Sequence, residues 1–234
     1  MKTRNMSDYL GFIKSFQKKV EKYTQEIFKV YGNELQLKLE DFNLLENKNN
    51  CLESSTAFGY IIEEFLVSKL EIYTKLHNNT NDYKIVRSAG STTNASYDCF
   101  CNSDIFAMIN IKAVKETNNA ISAINILYND YVKTNPNTEK CFLVLKVFYK
   151  IDTSNIDGKR KIIIGDIKSF FLEEIDFSKT HTQDHRNWSE NFNANSGRLQ
   201  VSDKFRKEHR VLEKDISYQN TCNMLESIIN RNKT

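Results

Sequence analysis

The stretch KCFLVLKVFYKI, residues 140–151, has no polar face. Side chains alternate across a β-sheet, so a strand with one wet side carries a polar residue at every second position. Residues 141–145 show no such alternation, and a strand of that kind is stable only in a central position with both faces covered. This one segment predicts a layered α/β architecture, a mixed β-sheet flanked by helices.

The flanking sequence supplies the layers. Residues 7–30 place Leu10, Ile13, Phe16, Val20, Tyr23, Ile27 and Val30 at three-to-four-residue spacing, which predicts an amphipathic helix with Ser7 as candidate N-cap. A polar, Asn-rich loop is expected over 38–54. A second helix follows over 55–76, opened by Ser55 or Thr56 and carrying Phe58, Ile61, Ile62, Phe65, Leu66, Leu70 and Leu76. YKIVRSA, SYDCFCN and DIFAMINIKAV read as strands, the last two joined by a tight turn. Residues 117–134, with Ile121, Ile124, Leu127, Tyr128 and Tyr131, read as a helix. GKRKIIIGDIKSFFL predicts a strand and a short element, RLQVSDKF a last strand, and 218–231, with Cys222, Leu225, Ile228 and Ile229, a C-terminal helix.

Composition removes several function classes. The net charge of +3 is not that of a polybasic nucleic-acid tail. No run approaches the ~18 apolar residues of a membrane helix, so no membrane partner is expected. The first residues lack the apolar core of a signal peptide. Cys99 and Cys101, two apart on a strand, face one side and suit a core better than a zinc site. An intracellular, cytoplasmic setting is expected.

The chemistry concentrates at residues 98–112. On a strand over 105–112, Ile105, Ala107, Ile109 and Ile111 share one face, and Phe106, Met108, Asn110 and Lys112 the other. Hairpin pairing brings Asp98 alongside Asn110 and Lys112. An acid, an amide and an ammonium group then converge at a strand end. Phosphodiester hydrolysis uses such a group. A hard cation such as Mg²⁺ takes oxygen ligands from one or two carboxylates. A neighbouring lysine orients the attacking water and stabilises developing negative charge.

That order resembles the PD-(D/E)xK nuclease superfamily. A helix carries Glu63 or Glu64 in GYIIEEFLVSKL; then come RSAGSTTNAS, Asp98, a hairpin, and NIK at 110–112, twelve positions after Asp98. Within the superfamily the chain most resembles the HincII and EcoRV branch of type II restriction endonucleases. GYIIEEFLV is similar to a Gly-x-x-Phe-Glu helix there, which favours Glu63 over Glu64. IKAVKETNNAISAINILYNDY resembles the run from the catalytic lysine into a helix. HRNWSENFNANSGRLQV resembles an Asn-Trp loop leading to a Gln-containing strand that reads bases. The resemblance spans roughly 55–230, and only its Glu, Asp and x-x-Lys positions are specific.

The resemblance implies a restriction-endonuclease-like core over 55–175. It implies an N-terminal helix and loop (1–50) contributing to a homodimer, and a DNA-recognition loop with a C-terminal helix (176–234), all one domain over 1–234. Mg²⁺ is expected on Asp98 and the residue at 110, supported by Glu63, with Lys112 assisting the water. The partner is double-stranded DNA at a specific, palindromic site, with blunt cleavage and a cognate methyltransferase acting on the same site. DNA contacts are expected from Asn118, Asn119, Asn187, Trp188, Asn191, Asn193, Asn195, Arg198, Gln200, Lys204 and Arg206. Asn pairs with adenine, Arg with guanine, and basic side chains with phosphates. His181 and His185, four apart, have no helical pattern around them and are not read as metal ligands.

One position departs from the family. It expects Asp or Glu at 110, where this chain has Asn110. Three accounts stand open: an acid replaced by Asn so that DNA is held uncut, a natural variant leaning on Glu63 or Asp104, or a natively inactive site. A repair or junction-resolving nuclease, and a sequence-specific DNA-binding protein with a dead core, are the rival functions.

Overall fold

A computed structural model of the chain describes residues 6–38, 55–77, 83–89, 95–115, 120–152, 159–176, 198–201 and 203–231. The strand without a polar face, β6 (Lys140–Asp152), lies inside a six-stranded sheet. Running from edge to edge, the sheet comprises β1 (Glu34–Lys38), β7 (Lys159–Phe171), β6, β4 (Phe106–Val114), β3 (Cys99–Asn102) and β2 (Ile85–Arg87). β4 runs parallel to β6, and every other pair is antiparallel, so the sheet is mixed.

Each face of β6 meets its own core. On one side Leu143, Leu145 and Val147 join Ile109 and Ile111 of β4 beneath α1 (Met6–Val30) and α2 (Ser55–Leu76). Phe16, Phe28, Ile62, Leu66 and Leu70 are fully buried there, and each such side chain contributes about 1.5–3 kcal/mol by leaving water. On the other side Phe142, Val144, Met108 and Phe170 meet α3 (Ile124–Tyr128), a π-helical turn over Asn129–Lys133, α4 (Asp203–Glu208) and α5 (Tyr218–Arg231). The predicted mixed sheet flanked by helices is the observed architecture.

The differences from the sequence reading have physical causes. Residues 117–134 are not one helix. Ala120–Ala123 form β5, which pairs antiparallel with β8 (Arg198–Gln200) in a separate two-stranded sheet, and only then does α3 begin. An apolar residue every third position fits a strand running into a helix as well as one helix, and the ladder partner some 75 residues away decides it. RLQVSDKF divides likewise: the strand stops at Gln200 and α4 starts at Asp203. β1, in a stretch read as part of the first helix and its loop, is edge-paired to β7; Gly32 (φ +66°) and Asn33 (φ +57°) turn the chain into it. Ser7 lies inside the first turn of α1, where its hydroxyl donates to Asp8. The apolar face of α1 packs into its own core. α1 is also tied to the far end of the sheet: Gln17 Nε2 donates to Ser169 O at 3.0 Å, and the Ser169 hydroxyl donates to Glu21 Oε1 at 2.7 Å.

A fully buried carboxyl joins the second core to α1. Glu173 Oε1 accepts from the Tyr131 hydroxyl and from Phe142 N–H (3.0 Å), while Oε2 has no hydrogen-bond partner. The Tyr9 hydroxyl donates to Lys140 O beside it. Burial pushes the Glu173 pKa from 4.5 up to about 8. The folded chain therefore holds a proton that the unfolded chain has released, and this contribution to stability falls as pH rises between about 4.5 and 8. Glu173→Gln keeps the acceptor oxygen and cannot ionise. Thermal unfolding should show the variant gaining on the parent as pH rises through that window, with the largest difference at its upper end.

Candidate functional site

The site forms where β3 leaves β4. Successive N–H groups of a strand point to alternate edges. Phe106 N–H donates towards β6, to Glu139 O, while Ile109 O accepts from Asp98 N–H on the β3 side. The N–H groups of Ile111 and Ala113 therefore point the same way as Ile109. But β3 pairs with β4 only from Asn102↔Phe106 to Cys99↔Ile109. Past that point Asp98 O accepts from Ser88 N–H, and the chain leaves the ladder. Two consecutive backbone donors on the β3 edge are left without a strand, and a buried unpaired donor costs about 1–3 kcal/mol.

Two carboxylates take them. Asp98 Oδ2 accepts from Ile111 N–H at 2.6 Å, and Glu63 Oε1 accepts from Ala113 N–H at 3.0 Å. Glu63 reaches β4 because α2 runs close to it. Gly59, one turn earlier on the same helix face, lies against Ala113, so that a Cβ at 59 would sit 3.8 Å from the Ala113 Cβ. The next residue, Glu64, turns away and pairs with Arg87 Nη1 at 2.8 Å. The two acids thus hold the backbone on either side of Lys112. Burial raises the pKa of both Asp98 and Glu63; the Lys112 ammonium, close to both, and the backbone N–H groups pull the other way. The negative charge on Asp98 adds to the rise at Glu63.

Asn110 sits deeper, 4% exposed, on the face it shares with Met108. Continuing the β3–β4 register by one residue sets it opposite Asp98. Its Nδ2 donates to Ser96 O at 2.8 Å, and its Oδ1 is buried without a partner. Ser96 N–H is held in turn by Asp130 Oδ2 at 2.7 Å. An aspartate at 110 has no N–H for the Ser96 carbonyl, so this pocket suits the amide. Asp104 lies in the bend between β3 and β4.

Asp98, Glu63, Asn110 and Lys112 are therefore brought to one strand edge. Among the described residues no three His, Cys, Asp or Glu side chains cluster where a metal would be held. Two carboxylates, Asp98 and Glu63, lie close to Lys112; they are hard oxygen donors of the kind that suits Mg²⁺, which keeps several waters and needs only one or two carboxylates.

Only four of the eleven expected DNA contacts, Arg198, Gln200, Lys204 and Arg206, fall within the described residues. Asn118, Asn119, Asn187, Trp188, Asn191, Asn193 and Asn195, with His181 and His185, lie outside the described residues. Arg198 and Gln200 are on β8. Lys204 is exposed on α4, 4.0 Å from Glu208. Arg206 is not a free surface cation: its guanidinium lies over the Phe170 ring at 4.8 Å, and 3.9 Å from Asp203. One residue escaped the sequence reading. Lys146, level with Lys112 on β6, is buried and joined to Asp203 Oδ1 at 3.0 Å. Its signal was the lone charge interrupting the apolar run of β6.

No family model matches the chain, and no curated protein matches it. A solved structure described as NlaIV restriction endonuclease is similar at a TM-score of 0.46 and 12% identity, covering 79% of this chain and 67% of that one. Among the described residues no helix is long and apolar enough to cross a membrane.

Two stability measurements check this geometry. Glu63→Ala leaves the Ala113 N–H unpaired and should cost about 1–3 kcal/mol in urea unfolding, whereas Glu63→Gln, which keeps an acceptor, should cost less than half as much. Asn110→Asp places a carboxyl against the Ser96 carbonyl. Protonated, it donates there; ionised, it cannot. Its destabilisation should grow as pH rises, read as a widening gap in unfolding midpoint from the parent chain.

Proposed function

We propose that the chain is a Mg²⁺-dependent endonuclease of the PD-(D/E)xK kind that hydrolyses phosphodiester bonds in double-stranded DNA. One observation carries this reading: Asp98 and Glu63 grip the backbone N–H groups immediately before and after Lys112, so acid, acid and ammonium are fixed together at an open sheet edge. The two carboxylates, with Asn110 Oδ1, would hold the metal, and Glu63 from α2 stands in for the acid missing at 110. Bound there, Mg²⁺ supplies Lewis-acid polarisation of the phosphate and a more acidic water. Lys112 would orient the attacking water and balance negative charge gathering on the phosphate. Asp98 and Glu63 must be ionised to take a cation, and burial raises their pKa, so activity falls as pH drops through their titration.

The finer reading is a type II restriction enzyme, one domain over 1–234, cytoplasmic and homodimeric on a palindromic site, since a two-fold protein matches a two-fold sequence. A cognate methyltransferase would act on the same site. The HincII and EcoRV branch, with its blunt ends, rests on the three sequence stretches alone. The fit of Asn110 to the Ser96 carbonyl supports a natural variant over a replaced acid. The second reading, a DNA-binding protein with a dead nuclease core, draws on the same Asn110, an amide where the family expects an acid.

Duplex DNA incubated with Mg²⁺ and the chain as it stands should yield discrete fragments. Lys112→Ala and Asp98→Asn should each slow cleavage by about 10²-fold or more. Fragments only from Asn110→Asp would identify Asn110 as an inactivating replacement. Fragments from neither protein would sink the nuclease in favour of the binding protein, and cutting confined to branched DNA would favour a resolvase.

A further inference from the structure

The stretch that delivers Asp98 has no strand of its own. Residues 96–98 lie ahead of β3, whose ladder with β4 begins only at Cys99. They are nevertheless held in place. Asp98 N–H donates to Ile109 O at 2.9 Å, and Ser96 O accepts from Asn110 Nδ2 at 2.8 Å. The Tyr97 ring meets Phe100 and Phe106 edge to face. Ser96 is only 1% exposed, so its N–H has little access to water and needs an acceptor. That acceptor is Asp130 Oδ2 at 2.7 Å, 34 residues further along the chain.

Asp130 has firm support behind it. It belongs to the π-helical turn Asn129–Lys133, a turn type frequent at functional sites. A helix ends in carbonyls that lack partners, and here a buried cation takes them. Lys140 Nζ donates to Tyr131 O at 2.8 Å and to Thr134 O at 2.5 Å, and Lys140 is 2% exposed. The Tyr218 hydroxyl donates to the same Tyr131 carbonyl at 3.1 Å. The Tyr131 side chain is fully buried and bonded to Glu173. The turn is thus pinned to β6 and to the second core, and its single acid is the one that holds Ser96.

One carboxylate therefore steadies two members of the site. The Ser96 carbonyl fixes the amide of Asn110, and two residues later Asp98 reaches Ile111 N–H. Groups that orient metal ligands from behind commonly govern about 10–100-fold of metal affinity. We infer that Asp130 is a positioning residue for the site: through the Ser96 N–H it aligns Asp98 and Asn110 for the cation. The inference rests on the nuclease reading above and deepens it, and it gives Asp130 no contact with metal or DNA.

The test is Mn²⁺ binding to the full chain, read from the electron paramagnetic resonance of the free ion, beside the Mg²⁺ dependence of duplex cleavage. Asp130→Ala removes the acceptor and should raise the Mn²⁺ dissociation constant and the half-saturating Mg²⁺ concentration about tenfold or more. Asp130→Asn retains an oxygen for the Ser96 N–H and should stay within about threefold of the parent chain. A role in folding alone would lower the number of binding sites and the amplitude of cleavage and leave both constants parental; that result in Asp130→Ala would overturn the inference. An equal rise in Asp130→Asn would assign the effect to the charge at 130 and not to the hydrogen bond, and would overturn it as well. Should Asp130→Ala not fold, Asp130→Ser, too short to reach the N–H, is read by the same two constants. A parent chain that neither binds Mn²⁺ nor cleaves duplex DNA would overturn the nuclease reading and this inference together.

Discussion

Everything at the site follows from a ladder that stops early. β3 accompanies β4 for four residues and then departs, while β4 continues to Val114 along β6. The continuing strand carries two N–H groups that no backbone answers. Water is one solution to such an edge. Here the answer is two carboxylates from different elements, one from the departing strand and one from a helix laid across the top. The hydrogen bonds position the acids more rigidly than a surface would, and they bring both into the field of Lys112.

The cost appears in the same groups. Withdrawal from water makes the charged form of a carboxylate more costly, and the raised pKa of Asp98 and Glu63 expresses that cost. A fold seeking stability alone would place amides there, as it has at 110. Asn110 shows the alternative within one residue's reach: neutral, buried and bonded to Ser96. Two acids are kept beside a neutral amide, and the Lys112 ammonium stands close to both. The close run of α2 over β4, through Gly59 and Ala113, makes the second acid available.

Much of this was legible from the sequence, for definite reasons. β6 announced its central place by lacking a polar face. α2 and α5 showed their whole extent, because helical periodicity over many turns has no strand equivalent. The meeting of Asp98 with residues 110–112 followed from counting back along a hairpin. What stayed hidden depended on pairing between distant segments. β5 takes its form from residues 198–200, and β1 from an edge of β7. That Lys146 lies level with Lys112 cannot be seen without the β4–β6 register. That Glu63 would bond a backbone N–H required knowing which N–H groups β3 leaves behind.

The tie between α1 and β7 has a consequence during synthesis. Gln17 and the Ser169 carbonyl that it meets are 152 residues apart. At about 5–20 residues per second a ribosome needs on the order of 8–30 s to cover that distance. Through that interval the aromatic side of the first helix has emerged while the sheet that will cover it is still being made. The first helix therefore waits exposed for a strand made much later, and the α1–β7 contact closes only after β7 has left the exit tunnel.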